Sequence, residues 1–132
     1  MGAALLLYVI EGAAPLLTIT LVWAVVLALR GNIPRHRKIA VTHAVATVVS
    51  YIVVIALVRN GYRLEGKTPE WILNAHLTVI YAIPLFLIAL PATGLTGRRS
   101  AHRALAFVYA IAWTAALVTG AMIFMAHRGW LR

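Results

Sequence analysis

Residues 34–40 read PRHRKIA and residues 100–106 read SAHRALA, so the same His-Arg step opens two long apolar runs 66 positions apart. Around this junction, the identical pairs at this offset include Leu29/Leu95, Gly31/Gly97, His36/His102, Arg37/Arg103, Ala40/Ala106, Ala44/Ala110 and Ala46/Ala112. An offset of half the chain without insertions indicates two copies of a helical hairpin. Because both copies have the same orientation, a pseudo-two-fold axis along the membrane normal is expected.

The composition is that of a membrane protein, since 63% of the 132 residues are hydrophobic and only 11% are charged. Four apolar segments are near or above the ~20 residues that cross a bilayer as a helix, and they lack the alternation of barrel strands. They cover residues 4–29, 39–58, 71–95 and 104–126. We predict an all-α four-transmembrane-helix bundle, a single transmembrane domain (1–132) built from parallel-repeat hairpins 1–66 and 67–132.

The distribution of charge predicts the topology. Loops one and three hold seven Lys and Arg residues and no acid, whereas the other side holds five, offset by Glu65 and Glu70. The positive-inside rule therefore places both termini on the outer side of a prokaryotic cytoplasmic membrane. The basic residues form short clusters between apolar segments, which indicates contact with lipid head groups and excludes nucleic acid as the expected partner.

Local signals refine the helices. Thr68 is the expected N-cap of helix three, with Pro69 at its first position and Glu70 at the positive helix end. Kinks are expected at the internal prolines, which are Pro15, Pro84 and Pro91. An outer aromatic belt is expected from Tyr62, Trp71 and Trp130. Small residues at four-residue spacing, as in Ala112, Ala116 and Gly120, make helices two and four candidates for the central contact.

Ionisable residues within the predicted spans are candidates for function. Glu11 and His76 lie at matching depth on helices one and three, so they form a candidate intramembrane polar pair. Such a pair could hold a proton, orient a metal-ligating imidazole or contact a quinone head group. It could equally be a hydrogen-bonded pair that fixes helix packing.

A metal site is a second candidate. His36 and His43 lie two helical turns apart on one face, and His102 could join them if the hairpins pack symmetrically. Three histidines near one membrane face could bind copper or zinc. The chain contains no His-x-His or His-Glu-x-x-His motif, however, and histidines at an interface are usually hydrogen-bonded residues.

Haem b is a third candidate, and it needs two histidines at one depth on facing helices. His36 and His102 meet this condition by symmetry at the edge of the bilayer, whereas His43 and His76 lie near opposite ends of their spans. The other route is one histidine with a methionine or with an open position. The cofactor-binding candidates are His36, His76 and His102.

Enzyme chemistry has few candidates in this sequence. The chain has no cysteine and three acidic residues in all, and it has no Ser-His-Asp constellation, Gly-rich phosphate loop or paired carboxylates. We predict that the protein is not an enzyme and that it carries no cofactor, with haem b or copper as the alternative.

Several motifs together resemble a known family. HRKIA at 36–40, VVSYIV at 48–53, LNAHLTVIYAI at 73–83, SAHRALA at 100–106 and AIAWTAALVTG at 110–120 are similar to the small four-helix membrane proteins grouped as domain of unknown function 420. The likeness covers roughly residues 30–125. The family-like positions are His36, Arg37, Ser50, Tyr51, His76, His102, Arg103, Trp113, Thr119 and Gly120. Many relatives have a His near the outer end of helix two, where this chain has Arg59 and Asn60.

The resemblance implies four spans and an association with cytochrome oxidase subunits and copper-delivery or assembly proteins, without an established activity. The resulting hypothesis is a non-catalytic accessory subunit or assembly factor of a haem-copper-oxidase-type respiratory complex, whose partners are other membrane subunits. The alternative is an electron-transfer protein that holds haem b or copper through histidines. A third hypothesis is a small proton or solute carrier centred on Glu11 and His76.

Overall fold

The computed structural model describes the backbone of residues 2–61 and 68–131, and the side chains of residues 12–61 and 68–131. These ranges contain four helices, α1 (Gly2–Leu29), α2 (Ile33–Arg59), α3 (Glu70–Leu95) and α4 (Arg99–His127). Each contains a stretch that is long and apolar enough to cross a membrane. The predicted all-α fold class with four transmembrane helices is confirmed.

The helices pair in chain order to give two compact units. The first hairpin, α1 with α2, belongs to the unit Met1–Arg63, and the second hairpin, α3 with α4, belongs to the unit Leu64–Arg132. The predicted two-fold axis and the predicted central contact of α2 with α4 both concern the placement of one hairpin against the other. Both stay predictions.

Helices α2 and α4 begin earlier than their apolar runs suggest, at Ile33 and Arg99. The side chain of Asn32 caps α2 by accepting a hydrogen bond of 3.3 Å from the backbone N–H of Arg35. Pro34 lies in the first turn, where its missing N–H leaves no helical bond unmade. Most of the basic residues of these clusters therefore lie on helical turns, while Arg30 and Arg98 lie in the connections.

The predicted cap of α3 is wrong by one residue. Pro69, not Thr68, occupies the N-cap position, without a side-chain hydrogen bond, and the helix begins at Glu70. The ψ angle of 134° leaves Pro69 extended, while its carbonyl accepts hydrogen bonds from the N–H groups of Ile72 and Leu73. Glu70 lies in the first turn, as expected for an acid at the positive helix end.

The two junctions of the repeat have the same backbone geometry. Gly31 and Gly97 adopt φ angles of +71° and +70°, the left-handed conformation that ends a helix at low cost only for glycine. The N–H of Asn32 reaches the Leu27 carbonyl at 2.9 Å, and the N–H of Arg98 reaches the Thr93 carbonyl at 3.0 Å. These equivalent bonds show that the two junctions have the same local structure at the 66-residue offset.

Buried positions also recur at the same offset, but with different chemistry. Leu17 and Ile83 are an equivalent buried pair on α1 and α3. On α2 the buried residues include His43 and Thr47, and the equivalent positions on α4 are the buried aromatics Tyr109 and Trp113. The rings of Tyr109 and Trp113 lie 6.0 Å apart, and Phe86 of α3 lies 5.7 Å from Tyr109. The second hairpin thus has an aromatic cluster where the first has polar side chains.

The remaining local predictions concern prolines and tryptophans. Helices α1 and α3 continue through Pro15, Pro84 and Pro91. Trp71 and Trp130 are 64% and 68% exposed at one end of α3 and just beyond α4, where an aromatic belt would contact the membrane interface. Tyr62, the third predicted member of that belt, lies outside the described residues.

Candidate functional site: the intramembrane histidines

His36 and His102 join the two helices of their hairpins in the same way. Nδ1 of His36 lies 2.8 Å from the carbonyl oxygen of Ala24 on α1, and Nδ1 of His102 lies 3.0 Å from that of Leu90 on α3. A carbonyl oxygen only accepts, so Nδ1 carries the proton and donates in both cases. Each acceptor precedes its histidine by 12 residues. The repeated His-Arg step therefore places a cross-helix hydrogen bond at each junction.

His102 has a second acceptor and a close glycine. Its Nδ1 lies 3.3 Å from Oγ1 of Thr93, whose hydroxyl donates to the backbone carbonyls of Ala89 and Leu90. A Cβ added at Gly94 would stand 3.4 Å from the imidazole ring. The ring thus packs directly on the backbone of α3.

His43 makes the corresponding contact deep in the first hairpin. The side chain is 4% exposed, and its Nδ1 lies 3.1 Å from the Leu17 carbonyl and 3.0 Å from Oγ1 of Thr20. The Thr20 hydroxyl donates to the Leu17 carbonyl at 2.8 Å, so its oxygen is left to accept from the ring. One imidazole N–H is therefore shared by two acceptors on α1.

His76 joins α3 to α4, and here the first helix of the hairpin supplies the donating histidine and the second helix supplies the acceptor. Its Nδ1 lies 2.9 Å from Oγ1 of Thr119 and faces the backbone of Ala116. The Thr119 hydroxyl donates to the Ala115 carbonyl at 2.7 Å, so it accepts from the ring. A Cβ added at Gly120 would stand 3.4 Å from the ring. The lack of a side chain at Gly120 therefore lets the His76 ring lie close to the backbone of α4.

Three of these contacts share one pattern on the accepting helix. A backbone carbonyl at position i and a threonine hydroxyl at position i+3 both face the imidazole, and the pairs are Leu17/Thr20, Leu90/Thr93 and Ala116/Thr119. In a helix, residues three apart lie on one face, so both oxygens can approach the same imidazole ring. Within residues 12–61 and 68–131, no buried side-chain nitrogen or oxygen lacks a partner.

The predicted metal ligands His36 and His43, both on α2, donate to different carbonyls of α1. His36 donates to Ala24 and His43 to Leu17, seven residues away along α1. His102 belongs to the other hairpin. Among the described side chains, no three histidines or acids form a group that could hold a metal ion. The metal site stays a prediction, and the contacts within each hairpin give it no support.

The predicted polar pair of Glu11 and His76 also stays a prediction. The side chain of Glu11 lies outside the described residues, and the two positions belong to different hairpins. His76 has a partner on its own hairpin in Thr119. Its packing is therefore accounted for without the carboxylate.

The sequence analysis reached some members of these clusters and missed others. The resemblance included Thr119 and Gly120, which both contact His76. Thr20 and Thr93 were missed, although each lies on the helix preceding its histidine. A threonine in the second half of one helix and a histidine on the next helix were a usable signal, but which threonine meets which histidine depends on the register of two antiparallel helices.

Comparisons of the chain with protein-family models, with curated proteins and with solved structures gave no match. The site is therefore interpreted from its own geometry and from the resemblance of its motifs.

Proposed function

We propose that this chain is a non-catalytic membrane subunit that associates with other membrane proteins, as an accessory subunit or assembly factor of a haem-copper-oxidase-type respiratory complex. The observation that carries the proposal is the use of the intramembrane histidines. Four of them donate Nδ1–H to the paired helix of their own hairpin. Hydrogen bonds of this kind hold helices together in lipid, where the hydrophobic effect does not.

One polar face of α3 supports association with a partner. Asn74, Thr78 and Tyr81 lie on consecutive turns, and all three are exposed, Tyr81 by 67%. An exposed amide within a span is costly against hydrocarbon and gains a hydrogen-bonding partner from another membrane subunit. The link to a respiratory complex rests on the resemblance of the motifs.

Photo-crosslinking tests the proposal. A photoreactive phenylalanine analogue placed at Tyr81 should crosslink to a membrane subunit of an oxidase in the native membrane. The same analogue at Phe107 on α4, which is 68% exposed, is the matched control. Equal labelling of lipid at both positions, with no protein adduct at Tyr81, would refute the proposed association.

A second function, haem or copper binding by His76, is favoured by one observation. With Nδ1–H donated to Thr119, the ring is fixed in the tautomer whose Nε2 ligates a metal, and ligating histidines are typically oriented in this way. One histidine is an incomplete ligand set, and the described residues supply no grouped second and third ligand. The fit is therefore partial.

His76→Asn separates the two functions, because the asparagine amide keeps an N–H near Nδ1 and removes Nε2. If the protein binds haem or copper, the visible spectrum and the metal content of the purified chain should be lost while the helices persist. If it is an accessory subunit, the wild-type chain should be colourless, and His76→Asn should still co-purify with its partner. A stoichiometric haem or copper signal that stays with the chain after its partners are removed would exclude the cofactor-free subunit.

A further inference from the structure

The first hairpin carries a groove that the histidine contacts do not use. The groove has a volume of about 520 Å³ and lies between α1 and the start of α2. Its apolar wall includes Ile19, Val22, Trp23 and Val26, and its end is lined by Arg30 and Arg35. A smaller adjoining depression of about 250 Å³ shares Trp23 and Arg35 and adds Lys38. The surface is therefore an apolar groove with three cations at one end.

The three cations have no acidic neighbour in the sequence around them. Residues 12–61 contain no Asp or Glu. Arg30, Arg35 and Lys38 are all exposed. Arg30 directly follows α1, and the other two lie in the first turns of α2. Such a cluster at the end of a span attracts an anionic group, and guanidinium groups suit a phosphate because they donate two parallel hydrogen bonds.

The length of the groove fits one leaflet of a bilayer. Ile19 and Arg30 are separated by 11 positions, which is about 16 Å along a helix and close to half of a ~30 Å hydrocarbon core. Trp23 is 57% exposed and Ile19 is 58% exposed, so both can line an acyl chain that descends from the charged end. The apolar wall and the cations thus match the two parts of a phospholipid.

The repeat supplies an internal comparison. At the 66-residue offset, Arg30, Arg35 and Lys38 correspond to Thr96, Ala101 and Ala104. Trp23 corresponds to Ala89. The second hairpin has its own cations at Arg98, Arg99 and Arg103, but they occupy different positions of the repeat. The residues that form the cationic groove are therefore not repeated at the equivalent positions of the second hairpin, so the shared junction does not require them.

We propose that the first hairpin binds one anionic phospholipid, with its phosphate at Arg30, Arg35 and Lys38 and one acyl chain along Ile19, Trp23 and Val26. The charge and the length of the groove favour this occupant over a transmembrane helix of a partner. A helix would leave the three cations without a counter-charge.

Lipid retention in detergent tests the site. The chain, purified from membranes and exchanged into neutral detergent, is titrated with phosphatidylglycerol or phosphatidylcholine, and bound lipid is counted by native mass spectrometry. We expect one phosphatidylglycerol per chain, with little phosphatidylcholine. Replacement of Arg30, Arg35 and Lys38 by Gln should weaken phosphatidylglycerol binding by about a hundredfold, since each cation near an anionic lipid contributes about a factor of five.

The matched control is the replacement of Arg98, Arg99 and Arg103 by Gln, which removes the same charge from the second hairpin. This variant should retain the bound lipid. Equal losses in both variants would show a diffuse attraction to charge and would overturn the site, as would equal binding of the two lipids.

A second readout does not depend on the charge variants. Brominated phosphatidylglycerol should quench tryptophan fluorescence more strongly than brominated phosphatidylcholine, and Trp23→Phe should remove most of that difference. If the difference survives in Trp23→Phe, or if a crosslinker at Trp23 captures protein rather than lipid, the groove holds something else and the proposal fails.

Discussion

Replacing His43 by Leu should lower the free energy of unfolding by about 0.6–1.7 kcal/mol, from the average to the maximum measured for hydrogen bonds between helices in a membrane protein. The substitution keeps a side chain of similar size at a position that is 4% exposed, so cavity formation contributes little. It removes the N–H that both the Leu17 carbonyl and Thr20 Oγ1 accept. Neither acceptor is stranded, because the Thr20 hydroxyl still donates to that carbonyl. This is why the expected loss is modest.

Thr20→Val is the matched variant for the same contact. It removes one of the two acceptors and leaves His43 donating to the Leu17 carbonyl, so its cost should stay below that of His43→Leu. The double variant should then cost less than the sum of the two single variants, because the bond between Thr20 and His43 can be lost only once.

Reversible unfolding in mixed micelles, followed by circular dichroism, measures all three values. A His43→Leu variant as stable as the wild type would refute the inference that this hydrogen bond holds α2 to α1. So would exact additivity of the two substitutions, because residues that share a hydrogen bond must couple. A loss well above ~2 kcal/mol would indicate that the leucine disturbs packing as well.

Three further outcomes follow from the same structure. Gly31→Ala and Gly97→Ala should each lower the free energy of unfolding by about 1–2 kcal/mol, because both glycines have a positive φ angle that alanine adopts only with strain. Gly12→Ala on α1 is the control: an added Cβ meets no atom at any of these three glycines, so Gly12→Ala should not destabilise the protein. Gly120→Ala should be tolerated, since its Cβ would meet the His76 ring at the ordinary contact distance of 3.4 Å, whereas Gly120→Leu should cost about 1–3 kcal/mol by displacing the ring. Asn32→Ala should destabilise the protein by about 0.5–2 kcal/mol, because it removes the side-chain cap of α2. Arg98→Ala, at the equivalent position of α4, should not destabilise it, since Arg98 makes no side-chain cap hydrogen bond.

The spans were predictable from sequence because lipid imposes one local rule on every residue within them. Apolar runs near 20 residues long must be helical when no water is present to satisfy the backbone. The starts of α2 and α4 were placed too late because charged residues precede the apolar runs, which begin only at Ile39 and Ala104. The helices themselves continue back to Ile33 and Arg99, since hydropathy reports depth in the membrane, whereas the helix boundary is set by the turn at Gly31 and Gly97.

The histidine contacts were only partly predictable because they depend on the register between helices. The repeat indicated that His36 and His102 share a role, and the structure gives them equivalent acceptors at Ala24 and Leu90. No local pattern identifies a backbone carbonyl 12 residues away as the acceptor. The length and geometry of the turn determine which carbonyl each ring reaches.

The repeat also indicates where function should be sought. Features that both hairpins share, such as the glycine turn and the junction histidine, are explained by the need to hold two helices together. Features that only one hairpin has need another explanation. The residues of the cationic groove are not repeated in the second hairpin, where Ala89 and Thr96 stand at the positions of Trp23 and Arg30. The contact of His76 with Thr119 has no counterpart in the first hairpin, where the equivalent positions are Ile10 and Val53. Variants at these unshared positions are therefore the ones expected to change lipid, cofactor or partner binding while the fold persists.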